Sequence, residues 1–216
     1  MSETLTIQSP SFSEVARARR SVRTYDPNYT ISKEEMTELL GDAVTAPSSA
    51  NHQPWRFLVI DSQPLKEKLL PIAYNQQQVV DASAVIAVLG DLESYRKLET
   101  IFGRAVEAGY MPQESADSFV ANYTKMYTSV PPEVMKKIVY VDGGLVSMQI
   151  MLAAKARGLD TVPMGGYDAA KFVEAFGIGE RYVPVMLIAI GKAAKEGHPS
   201  IRLNVDEVTN WNEFTL

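Results

Sequence analysis

Three short apolar runs, rich in β-branched residues, determine which folds are open to this chain. They cover residues 56–61, 83–91 and 183–191, and residues that favour turns bound each of them. Runs of this length and composition are typical of buried strands. Helical patterns occupy much of the remaining sequence, with predicted helices over residues 11–20, 32–46, 93–109, 113–128, 132–157 and 169–177. The pattern predicts a single α/β or α+β domain over residues 1–216, without repeats or a long linker.

The predicted helix over residues 132–157 carries an apolar seam. Its members recur at alternating spacings of four and three: Val134, Ile138, Val141, Leu145, Met148 and Leu152. Further apolar residues on the other side predict a helix that is buried nearly all round. Gly143 and Gly144 lie in mid-helix, where each costs about 1 kcal/mol relative to alanine, so we expect close approach by another element. A buried central helix is at least as consistent with this pattern as a subunit interface.

Composition excludes several classes of protein. The 216 residues include no cysteine, so a disulfide framework and a thiolate site are impossible. A net charge of -5 argues against nucleic-acid binding. Residues 1–12 lack the features of a signal peptide, and no uninterrupted apolar run approaches the roughly 18 residues of a membrane span, so we expect a cytoplasmic protein. His52 and His198 have no carboxylates at metal-ligand spacing, and no metal site is expected.

An arginine cluster follows the first predicted helix. Arg17, Arg19, Arg20 and Arg23 lie within seven residues, with Ser21 among them. Guanidinium groups bind phosphate oxygens in pairs, and a serine hydroxyl adds a neutral donor. A solvated charged face that complements the helix dipole is the more common origin of such a run.

Two further segments suit a ligand. The first, T-A-P-S-S-A-N-H-Q-P-W-R-F over residues 45–57, gathers small polar side chains before Pro54 and Trp55, which would anchor it to the core. The second, D-T-V-P-M-G-G-Y-D over residues 160–168, is predicted to be extended, and its two glycines leave backbone N–H groups open to a flat ligand. A surface loop and a plain turn are the alternatives. Because no nucleophile elbow, P-loop or dinucleotide fingerprint is present, the pattern favours a cofactor that does the chemistry.

Five motifs, in order, resemble those of the nitroreductase family of FMN-dependent oxidoreductases. They are RRSVRTYDP, APSSANHQPWRF, YNQQQVVDASAVIAV, GLDTVPMGGYD and HPSIRL, and together they span nearly the whole chain. The resemblance implies an α+β fold in which helices surround a central mixed, mostly antiparallel sheet. It also implies an intertwined homodimer with two FMN sites at the subunit interface. A C-terminal arm over about residues 198–216 would pack on the partner subunit.

The resemblance assigns cofactor-binding roles residue by residue. The FMN phosphate would be held by Arg19, Ser21, Arg23 and Arg202, with Arg20 contributing mainly through its backbone. The partner subunit would bring Pro47, Ser48, Ser49 and Asn51 to the flavin and its ribityl chain. The pyrimidine edge would bond to Asn75 and Gln78, and the N5 and O4 side would meet the backbone of Met164, Gly165 and Gly166, beside Pro163.

The activity implied by the resemblance is transfer of electrons from NADH or NADPH to small oxidised acceptors such as nitroaromatics and quinones, in a ping-pong cycle. No protein side chain is then required as a catalytic acid. A flavin-binding module without turnover, serving storage or interaction, is one alternative. Another flavin reaction on the same fold is a second, because a fold does not specify a reaction.

Two positions differ from the oxygen-insensitive nitroreductases that the chain resembles. Those enzymes carry a glutamate where this chain has Gly165 and a lysine where it has Gln78. Loss of a positive side chain near the flavin is expected to change the reduction potential. The family varies most over residues 101–130, where four aromatic residues could roof the site or belong to the core: Tyr110, Phe119, Tyr123 and Tyr127.

Overall fold

The computed structural model describes residues 10–214, so the predicted domain limits and the last two residues of the predicted C-terminal arm lie outside the described residues. The helices of this part are α1 (Phe12–Ala18), α2 (Lys33–Ala43), α3 (Gln63–Ile72), α4 (Gln78–Asp81), α5 (Leu98–Glu107), α6 (Gln113–Ser129), α7 (Pro132–Ala156) and α8 (Ala169–Ala175). The strands are β1 (Trp55–Ile60), β2 (Ala84–Asp91), β3 (Asp160–Met164) and β4 (Tyr182–Gly191). The three predicted strands and the predicted extended segment are confirmed.

The four strands form one sheet in the order β1-β2-β4-β3, and each neighbouring pair is antiparallel. Among the described residues, parallel pairing is limited to an isolated bridge between Ser21 and Thr161. The four strands themselves pair only antiparallel, so the predicted antiparallel character is confirmed, and the single parallel bridge outside the strands is the extent of the predicted mixing. The sheet with its surrounding helices confirms the α+β class.

Capping boxes fix the first two helices. Ser32 accepts a hydrogen bond from the backbone N–H of Glu35, whose carboxylate accepts from the backbone N–H of Ser32 at 2.8 Å. Ser11 and Glu14 form the same reciprocal pair at the start of α1. Each box satisfies two backbone donors that a helix leaves free at its N-terminus. The predicted starts of both helices are confirmed, and both helices end a few residues before the predicted ends.

The apolar core lies on both faces of the sheet. As a result, every residue of the central strand β2 is buried. Val85, Ala87 and Leu89 belong to the apolar cluster on the side of α3 and α8. Ala84, Ile86 and Val88 belong to the cluster on the side of α2 and α7. Alternate residues of a strand point to opposite faces, so one central strand serves two apolar layers.

In the single chain, helix α7 is buried on one side only, so the expectation of burial nearly all round by the protein's own core is wrong, and the subunit interface stays a prediction. Val139, Val146 and Ile150 are fully buried, whereas the seam residue Val141 is 63% exposed. Three other seam residues, Val134, Leu145 and Met148, are also exposed. By length and composition alone α7 could cross a membrane, but half of its most apolar stretch is buried inside the protein. The inner face therefore packs on the sheet, and within residues 10–214 the apolar outer face is left exposed.

Candidate functional site

Four arginines surround a cavity of about 250 Å³. After α1 the chain becomes extended and runs beside β3, where the Val22 N–H donates to the Thr161 carbonyl at 3.1 Å. The C-terminal segment crosses this stretch at Gly197, where an added Cβ would lie 2.6 Å from the Cβ of Arg20. Only glycine permits this approach. The complete lining consists of Arg19, Arg20, Ser21, Arg23, His198, Pro199, Ser200 and Arg202.

Positive charge is concentrated around this cavity. Within residues 10–214, none of its four guanidinium groups forms an ion pair with a carboxylate. The Arg20 Nη1 donates to the carbonyl oxygens of Arg17 and Arg19 at 2.5 and 2.9 Å, which occupies that side chain at the end of α1. Arg202 donates to the carbonyl of Ile201. Concentrated positive charge with free donors is suited to an anion such as a phosphate.

A second polar group forms where α4 meets the end of β3. Gln78 is buried, and its Nε2 lies 3.5 Å from the sulfur of Met164. The Nε2 of Gln76 donates to the carbonyl of Gly166 at 2.8 Å. Asn75 is exposed beside them and has a left-handed φ of 56°, a conformation that asparagine tolerates. The segment around residue 75 and the glycine pair therefore border one surface.

A buried lysine holds α4 in place. The Nζ of Lys66 donates to the carbonyl oxygens of Val80 and Ala82 at 3.1 and 2.6 Å. Burial lowers the pKa of Lys66, and the nearby carboxylate of Asp81 acts in the opposite direction. Because a cation at a helix C-terminus satisfies free carbonyls, Lys66 fixes the orientation of the short helix that carries Gln78.

Gly165 and Gly166 present open backbone. Both are exposed, and a Cβ built on either would meet no atom within 4 Å. Among the described residues, neither backbone N–H donates a hydrogen bond. Two adjacent free donors without side chains fit the edge of a planar ligand, which can approach the backbone closely.

The polar loop between α2 and β1 is conformationally strained. Ala50 and Gln53 have φ values of 45° and 47°, in the left-handed region that their side chains disfavour, and Asn51 between them has a φ of 53°, which asparagine tolerates. Inside the loop, the backbone N–H of Gln53 donates to the hydroxyl of Ser48 at 3.1 Å. Trp55 follows at the start of β1 and is buried, which confirms its predicted role as an anchor.

A carboxylate from α7 ties this loop down. The backbone N–H of Ser49 donates to Oδ2 of Asp142 at 3.1 Å, and the Ser49 hydroxyl lies 3.4 Å from Oδ1. Asp142 is 2% exposed, and burial raises its pKa. The hydrogen bonds from Ser49 act in the opposite direction because they stabilise the carboxylate.

His52 lies between the same carboxylate and the residues Ser94 and Tyr127. Its Nδ1 lies 2.9 Å from the hydroxyl of Ser94, and its Nε2 lies 3.7 Å from Oδ2 of Asp142. The ring contacts Tyr127 edge to face, with centroids 4.9 Å apart. Burial lowers the pKa of His52 to about 4, so the ring is neutral at pH 7. A neutral imidazole carries one proton. The tautomer that best suits both neighbours has this proton on Nε2, facing the Asp142 carboxylate, while Nδ1 accepts a hydrogen bond from the Ser94 hydroxyl.

A sequence model described as "Nitroreductase family" matches residues 16–192 of this chain. The chain belongs to the nitroreductase family. YdgI of Bacillus subtilis (strain 168), named "Putative NAD(P)H nitroreductase YdgI", is 55% identical over 207 residues, covering 95% of this chain and 99% of YdgI. The crystal structure of a "putative nitroreductase in complex with FMN" from Exiguobacterium sibiricum 255-15 has a TM-score of 0.91 and 51% identity, covering 96% of this chain and 100% of that chain.

The CLA biosynthesis enone reductase of Lactiplantibacillus plantarum is 34% identical over 196 residues, covering 89% of this chain and 90% of the reductase. The predicted family and fold are confirmed.

The nitroreductase fold brings the predicted site residues together in three places. The first is the cavity that contains Arg19, Arg20, Ser21, Arg23 and Arg202. The second is the surface formed by Asn75, Gln78, Pro163, Met164, Gly165 and Gly166 at the end of β3. The third is the loop with Pro47, Ser48, Ser49 and Asn51, whose side-chain hydrogen bonds within residues 10–214 go to the loop itself and to α7.

The sequence pattern did not reveal two residues of this nitroreductase site. Asp142 lies in the middle of an apolar helix, 93 residues from Ser49, and an acidic residue there gave no local signal. Gln76 lies inside the motif YNQQQVVDASAVIAV, but only its contact with Gly166 distinguishes it from neighbouring glutamines. Both depend on contacts that no local periodicity encodes.

The four aromatic residues of the nitroreductase's variable region occupy different environments. Tyr127 is buried against His52, and Phe119 and Tyr123 stack with Phe102 in the layer between α5 and α6. Tyr110 is 83% exposed. Tyr127 is therefore a core residue, as one alternative proposed, and three of the four belong to one packed helical layer.

Proposed function

We propose that this chain is a homodimeric FMN-dependent oxidoreductase that passes electrons from NADH or NADPH to small oxidised acceptors by a ping-pong mechanism. The observation that carries the proposal is the cavity with four arginines that no carboxylate neutralises within the described residues. The predicted enzyme class and cofactor are confirmed at the level of the family by the FMN complex of the Exiguobacterium protein and by the NAD(P)H in the name of YdgI. Nitroaromatics and quinones are the proposed acceptors.

The residues present fit FMN in the chemistry of their donors. Arg19, Arg23 and Arg202 supply guanidinium groups for a phosphate, and Ser21 supplies a hydroxyl. The unused N–H groups of the glycine pair suit the N5 and O4 edge of a flavin. When bound, FMN supplies the redox chemistry by accepting a hydride from the nicotinamide and releasing its electrons to the acceptor.

We propose further that the polar loop of one subunit faces the FMN of its partner. Pro47 and Asn51 are exposed in the single chain, although Asp142 holds the loop in one conformation. An uncovered apolar face on α7 and the exposed side chains of Ile201, Trp211 and Phe214 provide surface for such a dimer. The C-terminal arm over about residues 198–216 and the cytoplasmic location remain predictions.

Anaerobic titration tests the function directly. The purified protein should be yellow, and one equivalent of NADH or NADPH should bleach its flavin absorbance. A stopped-flow panel of a nitroaromatic, a quinone and an α,β-unsaturated ketone should then restore the absorbance; the ketone is included because of the relative that is named an enone reductase. Parallel lines in double-reciprocal plots would support the ping-pong cycle. A yellow protein that neither nicotinamide reduces would favour a flavin-binding module.

A further inference from the structure

The strained loop over residues 48–53 needs external restraint to keep its conformation. Ala50 and Gln53 are left-handed residues other than glycine or asparagine, and such residues persist only where surrounding contacts determine them. Within the loop, the hydrogen bonds from Asn51 to Ser48, from His52 to Ser49 and from Gln53 to Ser48 are local. Local bonds also permit other turn conformations, so they do not select this one.

Two buried contacts restrain the loop from outside: the Nδ1 of His52 hydrogen-bonds the Ser94 hydroxyl, and the carboxylate of Asp142 holds Ser49, the residue next to the left-handed Ala50. Asp142 accepts from both the backbone N–H and the hydroxyl of Ser49, and it faces the Nε2 of His52. Among the described residues, the Nε2 atom has no hydrogen bond, and the carboxylate has no lysine or arginine partner. A buried carboxylate that lacks a cation is costly to keep and is poorly explained by stability alone.

Asp142 also sits on the helix that carries the uncovered apolar face. Its side chain points inward to Ser49, while Val141 and Leu145 on the same helix are exposed. One rigid element therefore determines where the loop lies relative to that outer face. In a dimer built on this face, the same carboxylate would fix the position of the loop relative to the partner subunit.

We propose that Asp142 is a positioning residue for the FMN site. It holds Ser48, Ser49 and Asn51 in the strained conformation that presents them to the FMN of the partner subunit, and the Nε2 of His52 lies 3.7 Å from the same carboxylate oxygen that accepts from the Ser49 N–H. This inference rests on the proposed function and adds a residue of α7 to the machinery of that site.

Two substitutions remove the Asp142 carboxylate to different extents. Asp142→Asn keeps one oxygen that can accept from the Ser49 N–H, whereas Asp142→Ala keeps none. We expect FMN affinity, measured by fluorescence titration of the apoprotein, to fall about tenfold or more in Asp142→Ala and by less in Asp142→Asn. Hydrogen exchange of the amides of residues 49–53 in the apoprotein should accelerate in the same order.

Val146→Ala is the matched control. Val146 is fully buried on the same helix, so its truncation lowers stability without touching the loop. Val146→Ala should lower the melting temperature by an amount comparable to the Asp142 substitutions. It should nevertheless leave FMN affinity and the hydrogen exchange of residues 49–53 unchanged. If Asp142→Ala does not fold, Asp142→Asn carries the test.

The outcomes separate this inference from the proposed function. Wild-type protein that binds FMN, together with Asp142 variants that bind it equally well and show unchanged exchange of residues 49–53, would overturn the positioning role alone. Wild-type protein that does not bind FMN would overturn the proposed function. The exchange measurement on the apoprotein would then still decide whether Asp142 restrains the loop.

Discussion

Gly143 of α7 lies directly against Val185 of β4. A Cβ built at Gly143 would be 2.8 Å from Cγ1 and 2.9 Å from Cγ2 of Val185, closer than real Cβ contacts allow. The predicted close approach to the glycine pair is thus confirmed for Gly143, whereas a Cβ at Gly144 would meet nothing within 4 Å in the single chain. The helix can approach the sheet at this point only because position 143 has no side chain.

Gly143→Ala should therefore destabilise the protein despite the better helix propensity of alanine. Forcing a methyl group into this contact costs about 1–3 kcal/mol, while the propensity gain is at most about 1 kcal/mol. The measurement is the free energy of unfolding in urea. Gly41→Ala is the control because Gly41 lies in α2 with no atom within 4 Å of an added Cβ, so this variant should be slightly stabilised. Equal stabilisation of both variants would contradict the packing described here.

His52 should make stability depend on pH in the weakly acidic range. Its pKa is about 4 in the folded protein and near 6.5 when unfolded, so the unfolded state binds the proton first as pH falls. Stability present above pH 6.5 is lost toward pH 4, by about 3 kcal/mol for this group alone. The raised pKa of Asp142 acts in the opposite sense, because the folded state takes up its proton above the ordinary value.

Urea unfolding of wild type and His52→Gln between pH 7 and pH 4.5 measures this contribution. The wild type should lose more stability than His52→Gln over that interval, whatever the difference between them at pH 7. Both proteins retain the other charged groups near the ring, Asp91 and Asp142, so their contributions largely cancel in the comparison. Identical slopes for wild type and His52→Gln would contradict the burial of a neutral imidazole.

Local patterns predicted the parts of the fold that local chemistry controls. The S-K-E-E capping box, the β-branched runs and the period of α7 each encode their element without help from distant residues. Helix α3 was not predicted, because Pro64 at its start and Pro71 near its end are typical of loops. The single chain buries only one side of α7, because apolar composition does not distinguish a core face from a face that another subunit would cover.

The candidate site shows the same division between local and distant contacts. Gly165 and Gly166 were recognisable because their backbone function follows from the lack of side chains. The roles of Asp142 and Gln76 arise from partners 93 and 90 residues away, and nothing in their neighbouring sequence specifies those contacts.

Arg23 and Arg202 should control retention of FMN. Replacing either arginine by alanine removes one charge-assisted hydrogen bond to the FMN phosphate. The cost is about 1.5–3 kcal/mol of binding free energy, or one to two orders of magnitude in FMN affinity. Fluorescence titration of the apoprotein with FMN measures the loss. Arg17→Ala is the control, since Arg17 does not line the cavity and its Nε donates to Ser13. Unchanged FMN affinity in both Arg23→Ala and Arg202→Ala would contradict the proposal that these arginines bind the FMN phosphate.

The uncovered face of α7 should be the surface that joins two subunits. Leu145 is 43% exposed in the single chain, and an apolar contact there would bury it in a dimer. Leu145→Glu should dissociate the dimer, because an unpaired carboxylate in an apolar interface costs several kcal/mol. Leu65→Glu in α3 is a matched control, since Leu65 is 42% exposed but lies away from α7. Sedimentation velocity over a range of protein concentrations should show monomers for Leu145→Glu and dimers for Leu65→Glu.

If each FMN lies between two subunits, dissociation and loss of FMN must occur together by mass action. Truncation after Val208 removes the exposed side chains of Trp211 and Phe214, and it should weaken both association and FMN binding in parallel. Asn51→Ala should instead weaken FMN binding while leaving most of the association intact, since Asn51 is proposed to touch the cofactor and not to carry the apolar contact. Sedimentation with detection at the flavin absorbance follows both quantities at once. A monomeric Leu145→Glu or truncated protein that keeps one FMN per chain would show that a single chain forms the complete site, and the shared-site proposal would then be wrong.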